Sequence, residues 1–391
     1  MAAHLASTVD RLVIVGAART PIGRFLGSLA RTSAVDLALL AANKAVAGID
    51  PQQIDQVIVG NVLGAGLGMN IARQVGVKLK LPITTPAYSV NMMCASGMQA
   101  VILAAQAIRA GTANVVLAGG TESMSNAPYL MTGARSGYKF GDGKLIDSML
   151  HDGLTDPFDQ QHMAHTAERI AAQYNLSREA QDQFALLSQQ KYAMAQKEGV
   201  FTPELTAVKD VVADEHPRSD TTLEGLAKLK PAFSPQGTIT AGNASGINDG
   251  AAMVVVTTQS YAEKQGWRVM AAIEGFAAVG CDPATMGLGP IYAVRKLCEK
   301  TGRSPGEFDH IELNEAFAAQ AMACVRDLNL EAHWNAVNPH GGAIAIGHPI
   351  GATGARLITH LAHRIAGGHS QKALASLCVG GGMGVAISLT S

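Results

Sequence analysis

Two cysteines, a histidine and an asparagine stand in this sequence where side chains could make and break covalent bonds. Cys94 lies in Val90-Asn91-Met92-Met93-Cys94-Ala95-Ser96-Gly97, after a strand-like run and at the start of an Ala-rich helix. At a helix N-terminus, unpaired N–H groups and the positive end of the dipole favour a thiolate, which makes Cys94 a candidate nucleophile. A lone cysteine is more often a small buried hydrophobe. The small residues on both sides leave space for a substrate and tip the reading toward chemistry. Cys378 precedes Val379-Gly380-Gly381-Gly382-Met383-Gly384 at the end of an apolar strand. That glycine run exposes N–H groups suited to a developing oxyanion, although a tight turn would look the same.

His348 sits in Gly347-His348-Pro349-Ile350-Gly351-Ala352-Thr353-Gly354, where Pro349 suits a first helical turn and the glycines permit close approach. A positioned imidazole there is a candidate base for the thiol. The other histidines of this stretch, His360, His363 and His369, fit ordinary core or surface roles. Asn314, in Asn314-Glu315-Ala316-Phe317, could orient a water or carbonyl oxygen, and is equally compatible with a helix N-cap.

The elements that must position these groups follow a repeating rhythm. Strand-like runs at Leu12 to Val15, Gln56 to Val59 and Asn114 to Leu117 alternate with Ala-rich stretches at Ala34 to Val46 and Met98 to Arg109. This predicts βαβ units and a mostly parallel sheet covered by helices. The rhythm stops near Thr121 and returns near Asn248. Between them lie Gly/Asp-rich turns, a charged helical stretch from Ser177 to Gly199 and a polar segment from Asp214 to Gly237, which predict an inserted region carrying binding loops. The second half then echoes the first. The same 39 positions separate Asp55 from Cys94 and Asp309 from His348, and Asn61 and Asn314 each follow the strand that precedes them. The strand ending in Gly119-Gly120 is likewise matched by Leu374 to Gly382. Three such echoes in one order predict a duplicated half-domain that brings Cys94 and His348 to one interface, the alternative being two unrelated α/β domains.

The whole chain sets limits on this chemistry. Its 391 residues suit two or three cores, and 48% hydrophobic residues with 16% charged ones argue against disorder. A net charge of -1 offers no field for nucleic acid, and no apolar run is long enough to span a bilayer. Met1 to Arg11 lacks the apolar region of a leader peptide. Five cysteines without a CxxC pair or a metal-type cluster predict a reducing cytoplasm and no metal.

Taken together, the four blocks Asn91 to Gly97, Asn314 to Phe317, Gly347 to Gly354 and Cys378 to Gly382 resemble those of the thiolase family, in order and over nearly the whole chain. The resemblance implies an α/β thiolase-like fold: two duplicated βαβαβαββ halves packed as a five-layered αβαβα core with an inserted loop domain. The N-terminal half would be residues 1–120 completed by about 248–270, the coenzyme A-binding loop domain 121–247, and the C-terminal half 271–391. It implies a ping-pong acyl transfer in which His348 deprotonates Cys94, Cys94 becomes acylated, and Cys378 moves the proton at carbon. One oxyanion hole would use Asn314, through a water, and His348; the other would use the N–H groups of Cys94 and Gly380. Coenzyme A would be a substrate rather than a prosthetic group, contacted by His162, Met163, Arg218, Phe233, Ala241, Ser245, Ile247, Met286, Ala316 and Phe317. Substrates would be acetoacetyl-CoA or other short chains, and the assembly a homotetramer. Met92-Met93, Gln160-Gln161, Gly225 and His340 are unusual for the pattern and touch acyl-chain preference and the coenzyme contacts. A decarboxylating ketoacyl synthase of the same fold is the nearest rival, but it needs no second thiol such as Cys378. A non-catalytic acyl-CoA scaffold would not be expected to keep all four groups, and Ser96 lacks the Gly-x-Ser-x-Gly elbow of a hydrolase.

Overall fold

The computed structural model describes residues 10–391, so the expectation of a leaderless N-terminus falls mainly outside the described residues. The first half runs β1 (Leu12–Arg19), α1 (Ala34–Ala45), β2 (Gln56–Gly60), α2 (Ile71–Lys78), β3 (Ala87–Val90), α3 (Ser96–Arg109) and β4 (Val116–Ser123). The inserted region carries α4 (Ala164–Gln173) and α5 (Arg178–Lys197) before the chain re-enters the sheet as β5 (Asn248–Thr258). The second half runs β6 (Ala271–Gly280), α6 (Gly289–Thr301), β7 (His310–Leu313), α7 (Ala318–Asp327), α8 (Ile350–Ala366), β8 (Lys372–Val379) and β9 (Met383–Thr390). Local chemistry starts the helices. Ser33 caps α1 by accepting from Asp36 N at 3.1 Å, and Ser177 caps α5 by accepting from Ala180 N at 3.2 Å.

The strands form one sheet in the order β7-β8-β9-β6-β1-β5-β4-β2-β3, with Gly23–Arg24 paired onto β5. Its centre is the antiparallel pair of β1 and β6, the first strand of each half, through Leu12↔Ile273 and Ile14↔Ala271. Outward from that centre both halves repeat the same sequence of strands. The counterpart of β3 in the second half is reduced to a single bridge between Ile311 and Val337. The sheet is not mostly parallel: only β2–β3, β2–β4 and β7–β8 are parallel, and the other pairs in it are antiparallel. The alternation of strand and helix conceals this. Each half ends in a returning strand, β5 after a long insertion and β9 after a glycine turn, and both run back against their neighbours.

Apolar residues of α3, α8 and both sheet halves share one central core, from Ile58 and Val116 to Ala375 and Val385. The outer face of the first half packs on α1 and α2, and that of the second half on α6 and α7. These are the five αβαβα layers of the expected fold. α3 and α8 cross closely in the middle layer because the glycines there allow it. A Cβ at Gly97 would lie 2.9 Å from Ala355 N and Gly351 O. The echo in sequence is also an echo in hydrogen bonding. Asp55 Oδ2 accepts from Asn114 N at 2.7 Å and Val115 N at 3.0 Å, as Asp309 Oδ2 accepts from Gln371 N at 2.9 Å and Lys372 N at 3.2 Å. Among the described residues no helix is long and apolar enough to cross a membrane.

Candidate active site

Cys94 stands on a tight turn between β3 and α3. Met93 holds φ +46°, a conformation uncommon outside glycine, and the turn is fixed by three hydrogen bonds. Asn91 Oδ1 accepts from Met93 N at 2.9 Å; Ser96 Oγ accepts from Met92 N at 2.9 Å and donates to Met93 O at 2.6 Å. The helix itself begins at Ser96, two residues later. The expected depression of the thiol is not found. Burial pushes Cys94 up to about 11, against the N–H groups of Gly380 and of Cys94 itself, with the Glu122 carboxylate adding to the rise. The resting group is therefore a thiol and needs a base.

His348 occupies the equivalent turn before α8, again two residues ahead of the helix. Its N–H donates to Asn248 Oδ1 at 2.8 Å, and its Nδ1 lies 2.7 Å from Thr353 Oγ1. The Thr353 hydroxyl donates to Pro349 O at 3.0 Å. A carbonyl can only accept, so the hydroxyl proton is committed there and Nδ1–H donates to Oγ1. That tautomer leaves the lone pair on Nε2, which is buried without a hydrogen-bond partner. Burial, with Arg356 nearby, holds the imidazole down at about 3. It is neutral, oriented and able to take a proton.

Cys378 ends β8 fully buried, and burial followed by the neighbouring Cys94 raises its thiol well above the usual range. Gly381 and Gly382, both at φ +87°, turn the chain back into β9 and leave Gly380 N–H toward the Cys94 sulfur. Asn314 follows β7 and is fully buried, yet among the described residues neither Oδ1 nor Nδ2 has a partner. Cys94, His348, Cys378 and Gly380 line one cavity of about 710 Å³; Asn314 is not in its lining, although Ala316 and Phe317 of the same segment are.

All ten residues expected to contact coenzyme A line this cavity. Met163, Met286, Ala316 and Phe317 pack in one cluster with Cys378; His162, Phe233, Ala241, Ser245 and Ile247, like Met163, come from the inserted region. The His162 ring stacks on Phe233 at 4.2 Å and accepts from Ala164 N at 3.1 Å through Nδ1, which leaves Nε2–H to donate. Burial lowers it to about 4. Arg218 is exposed at the rim. The sequence reading missed Arg24, Phe25 and His216 in the lining, none of which stands in a distinctive motif. It also missed Glu122. This buried carboxylate accepts from Asn61 Nδ2 at 2.8 Å, Val62 N at 3.0 Å, Leu63 N at 3.1 Å and Gly351 N at 2.9 Å, tying the first half to the start of α8. A glutamate at the end of the apolar run Val116 to Gly120 was the available signal.

A duplicated α/β core that presents a thiol and an imidazole from equivalent turns to one cavity defines an enzyme of covalent acyl chemistry. Residues 12–260 match the family model for the thiolase N-terminal domain and residues 267–391 that for the thiolase C-terminal domain, so the chain belongs to the thiolase family. It is 48% identical to the acetyl-CoA acetyltransferase of Pseudomonas aeruginosa, over 97% of this chain and 98% of that one. The acetyl-CoA acetyltransferase of Allochromatium vinosum is 49% identical, over 97% of this chain and 99% of its own. Among solved structures, human mitochondrial 3-ketoacyl-CoA thiolase in complex with CoA superposes with a TM-score of 0.95 at 41% identity, covering 98% of each chain.

Proposed function

We propose that this thiolase is an acetyl-CoA acetyltransferase that interconverts two acetyl-CoA with acetoacetyl-CoA and coenzyme A, with short-chain substrates preferred. In thiolysis, His348 Nε2 takes the Cys94 proton and the thiolate attacks the keto carbon. The bond to the neighbouring carbon breaks, and that carbon takes the proton of Cys378 as acetyl-CoA leaves. Coenzyme A then gives its thiol proton to Cys378 and attacks acetyl-Cys94, and the leaving Cys94 sulfur takes its proton back from His348. Condensation is the reverse. One observation carries this reading: a thiol that needs a base, a neutral imidazole with a free lone pair and a second thiol meet on one cavity. The high position of Cys378 suits a group that exchanges protons with a weakly acidic C–H. The N–H groups of Cys94 and Gly380 would hold one thioester oxygen; Asn314, through a water, and His348 would hold the other.

The ten lining residues named above are proposed to hold coenzyme A, with Arg218 and Arg24 at the rim offering charge to its phosphates. Residues 121–247 would act as the loop domain roofing the cavity between the halves 1–120, with 248–270, and 271–391. A homotetramer is proposed, supported by exposed Tyr129, Met131, Phe140 and Leu145 on one segment of the inserted region. A cytoplasmic setting is proposed from five free cysteines. The test is thiolysis of acetoacetyl-CoA, followed as loss of enolate absorbance on adding coenzyme A. The expected result is rapid, coenzyme A-dependent loss; no such loss, together with decarboxylation of malonyl-CoA, would overturn the assignment in favour of a ketoacyl synthase.

A further inference from the structure

Away from the cavity, three histidines converge that the reaction does not use. His310 opens β7, His360 lies on α8, and half-buried His340 precedes Gly341-Gly342 in the segment leading to His348. One ring nitrogen of each lies within 4.8 Å of the other two. The closest pair is His340 Nδ1 and His360 Nε2 at 3.0 Å, and the ring centroids are 5.1 to 5.4 Å apart. Imidazole nitrogens about 2.0–2.1 Å from a tetrahedral zinc ion stand about 3.3 Å from one another. One pair already has nearly that spacing, and a nitrogen of the third ring stands within 4.8 Å of both.

The outward-facing atoms strengthen the case. His360 Nδ1 meets Glu204 Oε2 at 2.8 Å, and His310 Nε2 meets Glu312 Oε1 at 3.0 Å. Carboxylates accept, so these nitrogens carry protons and the other nitrogen of each ring keeps its lone pair. The carboxylates are held in turn, Glu204 by Arg19 at 2.6 Å and Glu312 by Arg356 at 2.9 Å. Carboxylate-backed imidazoles are the usual surroundings of metal-bound histidine, where the carboxylate fixes the tautomer and raises ligand basicity. Each ring has a hydrogen-bond partner of its own, His310 in Glu312 and the other two in one another, but those bonds do not require three rings to converge, and gathered imidazoles repel one another as soon as they charge. Arg364 faces the rings and opposes a dication, while Glu204 and Glu312, each paired with an arginine, Arg19 and Arg356, keep carboxylate charge beside them.

We propose that His310, His340 and His360 form a binding site for a transition-metal dication of the zinc class, in place of the metal-free protein expected from the sequence. The ion ties three segments together: the strand that leads into Asn314, the loop that leads into His348, and the helix that His348 precedes. It touches no substrate and acts by fixing where the proton-handling groups stand. The proposal is independent of the acyl chemistry, resting on three side chains outside the cavity.

The test uses the full-length, untagged protein, stripped with chelator and alkylated at its accessible thiols so that cysteines do not compete. Zn²⁺ and Co²⁺ are titrated separately by calorimetry, and the Co²⁺ complex is examined by absorption. The expected result is one equivalent bound, a Tm that rises with Zn²⁺, and visible Co²⁺ bands without the near-ultraviolet charge transfer of a thiolate ligand. His340→Asn and His360→Gln should each weaken binding by at least about 100-fold, the upper range for losing a mere outer-shell partner. No binding by the stripped protein, a thiolate charge-transfer band, or undiminished binding in both variants would each overturn the site. The absorption spectrum of the unsubstituted protein decides the matter even if a variant fails to fold.

Discussion

The two halves place different chemistry on the same scaffold. Cys94 and His348 occupy the same turn, each two residues before a central helix, and Asn61 and Asn314 follow the same strand. In the first half the amide nitrogen of the asparagine is used: Asn61 Nδ2 donates to Thr121 O at 3.1 Å and to Glu122 Oε1 at 2.8 Å. In the second half both polar atoms of Asn314 are buried without a partner, and so is Nε2 of His348. A buried unpaired polar group costs roughly 1–3 kcal/mol, which a fold tolerates where the group has other work. On the proposed reading, duplication supplied two equal frames, of which one holds the proposed nucleophile Cys94 and the other keeps its polar atoms free for protons and oxygens.

The comparison breaks most visibly if the paired turns are altered. Cys94→Ser should abolish acetyl-enzyme formation, seen as loss of the acetyl mass on incubation with acetyl-CoA. His348→Asn should slow acyl transfer by roughly 10²- to 10⁴-fold in a folded protein. Near-normal turnover in the second variant would make His348 structural and the symmetry of the turns empty.

The two asparagines offer a finer contrast. Asn314→Ala should lower condensation by roughly 10²- to 10³-fold, the range for removing one oxyanion donor, with little change in Tm. Asn61→Ala should do the opposite, since it leaves Glu122 and Thr121 each short of a donor at a cost of about 1–3 kcal/mol. Equal losses of activity and stability in both variants would erase the distinction between the halves.

The smallest effect concerns Glu122, where burial raises the carboxyl to about 7 against four donated hydrogen bonds. Its ordinary value of 4.5 applies in the unfolded chain, so the folded state holds the proton more tightly. The resulting stabilisation is full below about 4.5 and lost as the pH rises through about 7. Denaturant melts of the unsubstituted protein should therefore weaken over that window, on the order of 1–3 kcal/mol, relative to Glu122→Gln. Parallel curves would mean that the donors, and not burial, dominate.

What was legible in the sequence depended on how local its cause was. The Asp55 and Asp309 echo could be read because each aspartate does the same work against a neighbouring strand, and the spacing to Cys94 and His348 is carried by whole elements. The antiparallel returns of β5 and β9 were hidden, because an apolar run does not record its direction against a neighbour. The thiol position of Cys94 was misjudged for a similar reason: the helix start is local, while the burial that outweighs it involves residues distant in sequence, among them Leu63, Met124, Met149 and Ile350. His310, His340 and His360 are spaced irregularly, and no motif announces a cluster assembled by three elements.

The central claim is a division of labour, with Cys94 of the first half handling acyl transfer and Cys378 of the second handling only the proton at carbon. Acetyl exchange between acetyl-CoA and labelled coenzyme A, measured in Cys378→Ser, tests it most directly. The account predicts that this variant, folded by circular dichroism, still exchanges acetyl groups while thiolysis and condensation fail. Loss of exchange along with the carbon–carbon step would contradict it, because Cys378 would then share the work assigned to Cys94.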